Sequence, residues 1–328
     1  MKLQEFLENW LTNVVKGNVR PSTYMVYHGY VHNHINRLIG GMELADLRTE
    51  NMQNFVRRLT DNEQEKLAVD VAYRQKKFAS KTVNDILAML GTALQCAVEY
   101  EYIAKNPCVK VRLPRSKEKE IRIFTRAEQE RLEKAIVTSK DSRNLGILIC
   151  LYTGIRIGEL CALRWDNIDL KKRRLNIRLS LNRVNTYSDK DEKTRLVFEE
   201  PKTAKSKRLL PLPEFLCVLL SEHKKSSRSN FVLSMPSGKA VQPRTMQYIY
   251  TRLLKSAKLE YRNFHALRHT FATRVIELGV DIKTVSETLG HANSIITLNR
   301  YAHSLMEQKQ RMMQQLNGFF NNKKSAKP

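Results

Sequence analysis

The sequence is short of acidic side chains and of cysteine, and it contains no long hydrophobic run. Its five cysteines are odd in number and form no Cys-x-x-Cys pair, which argues against a disulfide framework and a cysteine-based zinc site and favours a reducing, cytoplasmic environment. No run of about eighteen apolar residues and no N-terminal apolar stretch is present, so the sequence predicts neither a membrane span nor a secretion signal.

The shortage of acidic residues leaves the chain with a strong positive charge. There are 57 Lys and Arg against 33 Asp and Glu, which gives a formal net charge of +24 at pH 7. Residues 124–328 hold 38 of the basic and 19 of the acidic residues, so most of the excess lies there. Because this charge is spread among periodic apolar segments, it indicates a folded surface for nucleic acid. Ribosomal or membrane-surface binding would give a similar count.

A charged segment without periodicity, residues 113–123, divides the chain of 328 residues and is interpreted as an interdomain linker. Before it, residues 1–112 show apolar side chains at helical spacing and predict a small helical domain. After it, residues 124–318 form the second domain, which begins with the capping box of Thr125 and ends with a helix. Residues 319–328 form a basic tail.

The second domain mixes helical and strand-like patterns. Apolar residues occupy every second position of residues 175–181, which predicts one half-buried strand. Shorter strands are predicted at residues 196–198 and 208–212, joined by a polar, basic hairpin at residues 200–207. We therefore expect a mainly α chain with a small antiparallel β-sheet in its second domain, an α+β fold.

The most informative polar residues lie on two predicted helices near the C-terminal end. His265 and Arg268 are three residues apart within an apolar stripe of helical spacing, so both polar groups lie on one helix face. A glycine then ends this helix, and Asp281 is expected to cap the next one. Gly290 is expected to end that second helix and to place His291 just beyond it.

Arg156 lies in a predicted turn between two buried helices. Gly154 precedes it, and Glu159 follows in the next helix. A cation at the start of a helix opposes the helix dipole, so we expect a bound anion to relieve the conflict. A guanidinium group suits that task because it makes two parallel hydrogen bonds to phosphate and keeps its charge, which is equally true of Arg268.

These residues suit the cleavage of a DNA phosphodiester. The reaction needs a nucleophile, stabilisation of the charge that develops on the phosphate, and a proton for the departing 5′ oxygen. We assign the nucleophile to Tyr301, the proton transfer from it to His265, a phosphate hydrogen bond to His291 and general acid catalysis to Lys202. No acidic metal cluster lies near these motifs in the sequence, so neither a metal nor a cofactor is expected. A covalent phosphotyrosine would conserve the bond energy, so rejoining would need no ATP.

Five motifs of the second domain carry these residues: Thr153-Gly154-Ile155-Arg156-Ile157-Gly158-Glu159-Leu160, Pro201-Lys202-Thr203 with Ser206 and Arg208, His265-Ala266-Leu267-Arg268-His269-Thr270, Leu289-Gly290-His291 and Tyr301-Ala302-His303. In order and spacing they resemble the boxes of the tyrosine recombinases, the phage integrase family. The resemblance covers residues 124–305, and residues 1–112 resemble the core-site-binding domain of that family through weaker motifs. It implies an active site with one supporting glutamate, Glu159, and six catalytic residues: Arg156, Lys202, His265, Arg268, His291 and Tyr301.

The resemblance implies a site-specific recombinase that cleaves and rejoins double-stranded DNA through a 3′-phosphotyrosine, for integration or excision of a mobile element of conjugative-transposon type. The two domains are expected to form a C-shaped clamp on DNA. Many such relatives carry a further small N-terminal domain for arm sites. This sequence begins with the core-binding segment, so we expect that domain either to be lacking in this protein or to lie outside this sequence. A type IB topoisomerase and a non-catalytic DNA-binding regulator are the alternatives.

The segment at residues 305–320 is amphipathic and rich in Met and Phe. Its apolar side chains are too many to leave in water, so we expect it to dock in trans on a neighbouring protomer and to join a homotetramer on synapsed DNA. Docking in cis on its own domain is the alternative. An excisionase or an accessory DNA-bending protein is a further expected partner, and the expected location is the bacterial cytoplasm, in association with the nucleoid.

Overall fold

The computed structural model describes residues 1–60, 78–114, 122–187, 193–200 and 207–291, and beyond them positions 293–295, 298, 310, 312–314 and 316–317. The chain divides into two compact units. The first contains Met1–Lys119 and Val184–Lys193, and the second contains Glu120–Arg183 and Thr194–Pro328. Most of the predicted linker lies outside the described residues, and the predicted domain boundaries stay a prediction.

The first unit is helical in residues 1–60 and 78–114. Its helices are α1 (Leu3–Trp10), α2 (Pro21–Tyr30), α3 (Asn36–Ile39), α4 (Thr49–Thr60) and α5 (Ser80–Glu99). Helices α1 and α2 each continue into a π-helical turn, at Leu11–Val15 and Val31–Ile35. The apolar stripe of α1 and the long apolar face of α5 are buried in one core, as their helical spacing predicts.

The second unit contains α6 (Arg126–Val137), α7 (Leu145–Thr153), α8 (Ile157–Cys161), α9 (Glu214–Ser226), α10 (Pro243–Ser256), α11 (His265–Glu277) and α12 (Ile282–Leu289). Helix α7 is apolar on nearly all sides and is buried in the middle of the core. It packs against α11, the helix that carries His265 and Arg268. The core of this unit therefore supports both the segment after α7, where Arg156 and Glu159 lie, and helix α11.

Five strands belong to two small sheets. Strands β1 (Ile168–Asp169), β2 (Arg174–Ile177) and β5 (Arg208–Pro211) form an antiparallel sheet in the order β1-β2-β5. Strands β3 (Ser180–Asn185) and β4 (Thr194–Glu199) form a two-stranded sheet. The prediction of a mainly α chain with a small antiparallel sheet, an α+β fold, is confirmed.

Two details of the predicted strands are wrong. The single strand at residues 175–181 is broken, because β2 ends at Ile177 and β3 begins at Ser180. The register explains the break: Ile177 pairs with Arg208, the first residue of β5, and the chain then takes β4 as its new partner. The hairpin expected between the last two strands is also absent from the described residues, since β4 pairs with β3 and β5 pairs with β2.

The start of the second unit is attached to helix α11. Phe124 is fully buried. Its N–H donates to Oγ1 of Thr270 at 3.0 Å, and its carbonyl accepts from Nη2 of Arg274 at 2.7 Å. Thr125 and Glu128 then form the predicted capping box, with Thr125 Oγ1 accepting from the N–H of Glu128 at 3.2 Å and Glu128 Oε2 accepting from the N–H of Thr125 at 2.8 Å.

Within the described ranges, no helix combines the length and the apolar character that crossing a lipid bilayer requires.

Candidate active site

A left-handed glycine ends helix α7 and turns the chain towards α8. Gly154 has a φ of +66°, and its N–H donates to the carbonyl of Cys150 at 2.9 Å. A Cβ at this position would lie 2.5 Å from Cδ1 of Phe271 and 2.8 Å from Cδ2 of Leu289. Glycine is therefore needed here for both conformation and space. The turn places Arg156 immediately before α8, as the sequence predicts.

The carboxylate of Glu159 lies at the centre of a buried ion-pair network. Its side chain is 4% exposed. It accepts from the N–H and from Nη1 of Arg156, both at 2.9 Å, and from Nη1 and Nη2 of Arg208 at 3.1 and 2.9 Å. Burial by itself would raise the pKa of Glu159, but the hydrogen bonds and charge of Arg208, with the charge of Arg156, outweigh it and hold this pKa below its usual value.

Glu159 already offsets part of the conflict between the charge of Arg156 and the dipole of α8, and the binding of an anion there stays a prediction. Glu159 lies in the first turn of that helix, and its carboxylate supplies the negative charge from within the chain. The side chain of Arg156 nevertheless keeps 37% of its surface exposed. Its guanidinium group is thus oriented by Glu159 and still accessible to a ligand.

Helix α11 carries His265 and Arg268 in its first turn and just beyond it. The side chain of Asn263 begins the helix by accepting from the N–H of Ala266 at 3.1 Å. His265 is exposed, and its ring meets that of His269 edge-on, with centroids 4.6 Å apart. Arg268 is 2% exposed. The structure therefore places the histidine at the surface and the arginine beneath it.

Arg268 joins the ends of two other helices. Its Nη1 donates to the carbonyl of Gly154, at the end of α7, at 2.7 Å. Its Nη2 donates to the carbonyl of Leu289, at the end of α12, at 2.6 Å. Both distances are typical of strong, charge-assisted bonds. Arg268 is thus held in place by backbone groups, which leaves its charge close to both turns.

Helix α12 begins and ends as the sequence predicts. Oδ1 of Asp281 accepts from the N–H of Thr284 at 2.9 Å. At the other end Gly290 has a φ of +64°, its N–H donates to the carbonyl of Glu287 at 2.9 Å, and the N–H of His291 donates to the carbonyl of Ser286 at 3.0 Å. These two bonds form a Schellman motif, which fixes the backbone of His291 directly after the helix.

Three arginines converge on three consecutive carbonyls at this helix end. Arg208 Nε donates to the carbonyl of residue 288 at 2.7 Å, Arg268 Nη2 to residue 289 at 2.6 Å, and Arg156 Nη2 to residue 290 at 3.3 Å. We name Arg156, Arg208 and Arg268 the arginine cluster. The C-terminal end of a helix carries a partial negative charge of about half an elementary charge, which attracts such cations.

The structure therefore brings together Arg156, Glu159 and Arg268 at the helix end that precedes His291. His265 shares a helix with Arg268, while Lys202 and Tyr301 lie outside the described residues. The assignment of the six catalytic residues stays a prediction. Among the described residues, no group of three or more His, Cys, Asp or Glu side chains lies close enough together to hold a metal ion.

Arg208 is not among the residues predicted to act in catalysis, although it lies within one of the five motifs. Its side chain is 6% exposed and is bonded to Glu159. The available signal is the position of an arginine at the start of the apolar strand Arg208-Leu209-Leu210-Pro211. An arginine buried in such a strand requires a carboxylate or a set of carbonyl partners, because an unpaired buried charge is unfavourable.

Both parts of the chain are similar to known proteins. Residues 122–308 match the phage integrase family, and residues 2–60 match the N-terminal SAM-like domain of phage integrases. A tyrosine recombinase XerC-like protein of Caldanaerobacter subterraneus subsp. tengcongensis is 31% identical over 97% of this chain and 83% of its own length. The transposase from transposon Tn916 of Enterococcus faecalis is 27% identical over 73% of this chain and 62% of its own length.

A solved structure shows the same fold. The integrase of transposon Tn1549, in complex with transposon right end DNA, superimposes with a TM-score of 0.78 and 21% sequence identity, over 97% of this chain and 100% of that one. The shared fold, the matched domains and the similarity along nearly the whole chain lead to one conclusion. The chain belongs to the phage integrase family, the tyrosine recombinases.

Proposed function

We propose that this protein is a site-specific DNA recombinase that cleaves and rejoins double-stranded DNA through a covalent 3′-phosphotyrosine, and so integrates or excises a mobile element. The convergence of Arg156 and Arg268 on the helix end before His291, with Glu159 orienting Arg156, carries the proposal, because it gathers cations where a phosphate can bind. The XerC-like recombinase and the Tn916 transposase among its relatives support it.

The match of residues 2–60 to an integrase N-terminal domain favours a recombinase over a type IB topoisomerase. A regulator without catalysis would have no use for a buried carboxylate that orients an exposed arginine. Neither alternative is favoured.

In the proposed reaction the hydroxyl oxygen of Tyr301 attacks the scissile phosphorus. A phosphotyrosine bond forms on the 3′ side, and the bond from phosphorus to the 5′ oxygen breaks. The proton of the tyrosine passes to His265, and Lys202 donates a proton to the departing 5′ oxygen. A 5′ hydroxyl from another DNA end then attacks the phosphotyrosine, which reverses the first step and releases Tyr301.

Arg156, Arg268 and His291 stabilise the phosphate in this proposal. Arg156 is the accessible member of the pair of arginines, so it can donate directly to phosphate oxygens. Arg268 is buried 2.6 Å from the last helical carbonyl and contributes its charge from below the surface. The developing second negative charge thus meets donors that are already in place.

The proposed assembly follows from the number of strands that recombination breaks. Two duplex sites contain four strands, each strand needs one tyrosine, and a homotetramer on DNA supplies them. We further propose that residues 1–112 and 124–318 clamp the DNA, that the segment at residues 305–320 docks in trans on a neighbouring protomer, and that an excisionase or a DNA-bending protein assists. The cytoplasm, on nucleoid DNA, is the proposed location.

The nucleophile is tested with Y301F on nicked suicide DNA. We expect normal DNA affinity and no denaturation-resistant adduct, because only the attacking hydroxyl is removed. Tyr261, which is 68% exposed, gives the matched control, and Y261F should form the adduct normally. An adduct that persists in Y301F would assign the nucleophile to another residue.

The general acid is tested with K202A, with K205A in the same basic segment as its control. K202A should cleave ordinary DNA slowly and recover on a 5′-bridging phosphorothiolate, whose leaving group needs no proton. If the phosphorothiolate does not restore the cleavage rate of K202A, Lys202 is not the general acid.

Assembly is tested by deleting residues 306–328. Docking in trans predicts nearly normal binding of one half-site together with loss of multimeric complexes and of recombination. Tetramers formed by the truncated chain would contradict docking in trans.

A further inference from the structure

The side chain of Arg208 is held by contacts with two other segments of the candidate active site. It is the first residue of β5, and its side chain is 6% exposed. Nη1 and Nη2 bind the two carboxylate oxygens of Glu159 at 3.1 and 2.9 Å, and Nε donates to the carbonyl of Thr288 at 2.7 Å. All three nitrogens of one guanidinium group are thus engaged with two different elements.

The carboxylate that Arg208 holds is the same one that orients Arg156. Oε1 of Glu159 accepts from Nη1 of both arginines, and Oε2 accepts from Nη2 of Arg208 and from the N–H of Arg156. Without Arg208 the buried carboxylate would lose two of its four bonds. The direction of the Arg156 guanidinium group would then depend on a carboxylate held by its two bonds to Arg156 alone.

Arg208 also packs against the backbone that leads to His291. A Cβ added to Gly290 would lie 3.1 Å from Nη1, 3.2 Å from Cδ and 3.4 Å from Cζ of Arg208. These distances are tighter than most Cβ contacts, so a side chain at Gly290 would displace the Arg208 guanidinium group by a few tenths of an ångström. Together with the bond to Thr288, this contact fixes the end of helix α12.

We propose that Arg208 is a positioning residue for the cleavage reaction: it acts through Glu159 on Arg156 and through the end of α12 on His291, without itself contacting DNA. The inference rests on the proposed function and extends it to a residue outside the six assigned to catalysis. A lysine cannot replace it, because an ammonium group is a point charge that cannot span both carboxylate oxygens and a carbonyl.

The test compares R208K with wild type and with the matched control R143K. Arg143 belongs to the same unit and makes a comparable two-point pair, with Nε and Nη2 at 2.8 Å from the two oxygens of Asp141. The rate of adduct formation on nicked suicide DNA is measured at saturating protein, and half-site affinity is measured separately. R208K should lower the saturating rate about 10- to 100-fold, a range typical of partners that orient a functional group, and leave affinity nearly unchanged.

A second substrate separates positioning from a general loss of structure. When a methyl group replaces one nonbridging oxygen of the scissile phosphate, the phosphorus centre starts neutral and gains only one negative charge. Cleavage of this methylphosphonate therefore depends less on guanidinium groups than cleavage of ordinary DNA does. The factor by which R208K lowers the rate of adduct formation should be much smaller on it. A structural defect would slow both substrates by the same factor.

Equal losses on the two substrates, a rate equal to wild type, or a fall in affinity that accounts for the lost rate would each overturn the proposal. If R208K unfolds below the assay temperature, R208Q replaces it, since its neutral amide cannot span both oxygens of Glu159, which stays in place beside Arg156. R208Q should show the same dependence on the substrate, and equal losses there would overturn the proposal too. Wild type and R143K without any adduct would instead refute the proposed function, and this assignment with it.

Discussion

Replacing Gly154 with alanine tests how the turn before Arg156 supports the site. The residue combines a φ of +66° with contacts that leave no room for a methyl group. Its carbonyl also accepts a 2.7 Å bond from Nη1 of Arg268. The substitution should therefore affect both the stability of the second unit and the position of an arginine assigned to phosphate binding.

The magnitude can be worked out with a matched glycine. Gly279 has a φ of +90° and nothing within 4 Å of an added Cβ, so G279A carries only the cost of a left-handed L-residue, about 1–2 kcal/mol. G154A carries that cost and also forces its methyl group against Phe271 and Leu289. Overpacking of this kind costs about 1–3 kcal/mol, so G154A should lower the free energy of unfolding by about 2–5 kcal/mol.

Urea unfolding of both variants measures the stabilities, and adduct formation at a temperature where both are folded measures the site. G154A should be the less stable variant by about 1–3 kcal/mol, the overpacking cost. It should also form adduct more slowly, because its carbonyl moves away from Arg268, whereas G279A should keep the wild-type rate. Equal destabilisation of the two variants, or a wild-type rate in G154A, would refute this reasoning.

Three further predictions concern buried or partly buried groups. T270V should lower the free energy of unfolding by about 1–3 kcal/mol in urea titrations, because it leaves the buried N–H of Phe124 without its acceptor. Burial, with the charge of His32, lowers the pKa of His28 from 6.5 to about 4, so the stability it contributes is complete above pH 6.5 and is lost as pH falls through 4. Urea midpoints between pH 7 and pH 4 should therefore fall less in H28N than in wild type. Burial raises the pKa of Cys161 to about 12, so iodoacetamide at pH 8 should alkylate it only after unfolding.

Each of these predictions has a contradicting result. T270V with wild-type stability would mean that the N–H of Phe124 finds another partner. If the urea midpoints of H28N and wild type fell equally between pH 7 and pH 4, His28 would not contribute to the loss of stability in acid. Alkylation of Cys161 in the folded protein, at the rate of the half-exposed Cys96, would contradict its burial.

Local chemistry explains which parts of the site could be predicted from sequence. Gly290 and Asp281 act on the backbone within a few residues of themselves, through a left-handed φ and a side chain that caps its own helix. Gly154 is similar, since it must end α7 before the chain can turn. These positions depend on residue type and short spacing, so the sequence predicted the turn and the helix end correctly.

Contacts between distant segments could not be predicted in the same way. Arg208 and Glu159 are 49 residues apart, and nothing in either segment indicates which carboxylate the arginine will meet. The pattern of residues 175–181 failed for a related reason. The alternation of apolar residues indicates which side chains are buried, and that pattern continues from β2 into β3. The break between β2 and β3 depends instead on where the partner strand β5 begins.

The three cations of the arginine cluster are held together by negative charge from within the chain. Each guanidinium group donates to one of three consecutive carbonyls, and Glu159 places a full negative charge between two of them. Three positive charges, one carboxylate and a helix end of about half a negative charge leave a net charge of roughly +1.5. A phosphodiester carries one negative charge and approaches two during the attack. In the proposed reaction, the attraction of this fixed positive charge would therefore grow as the phosphate gains negative charge on the way to the transition state.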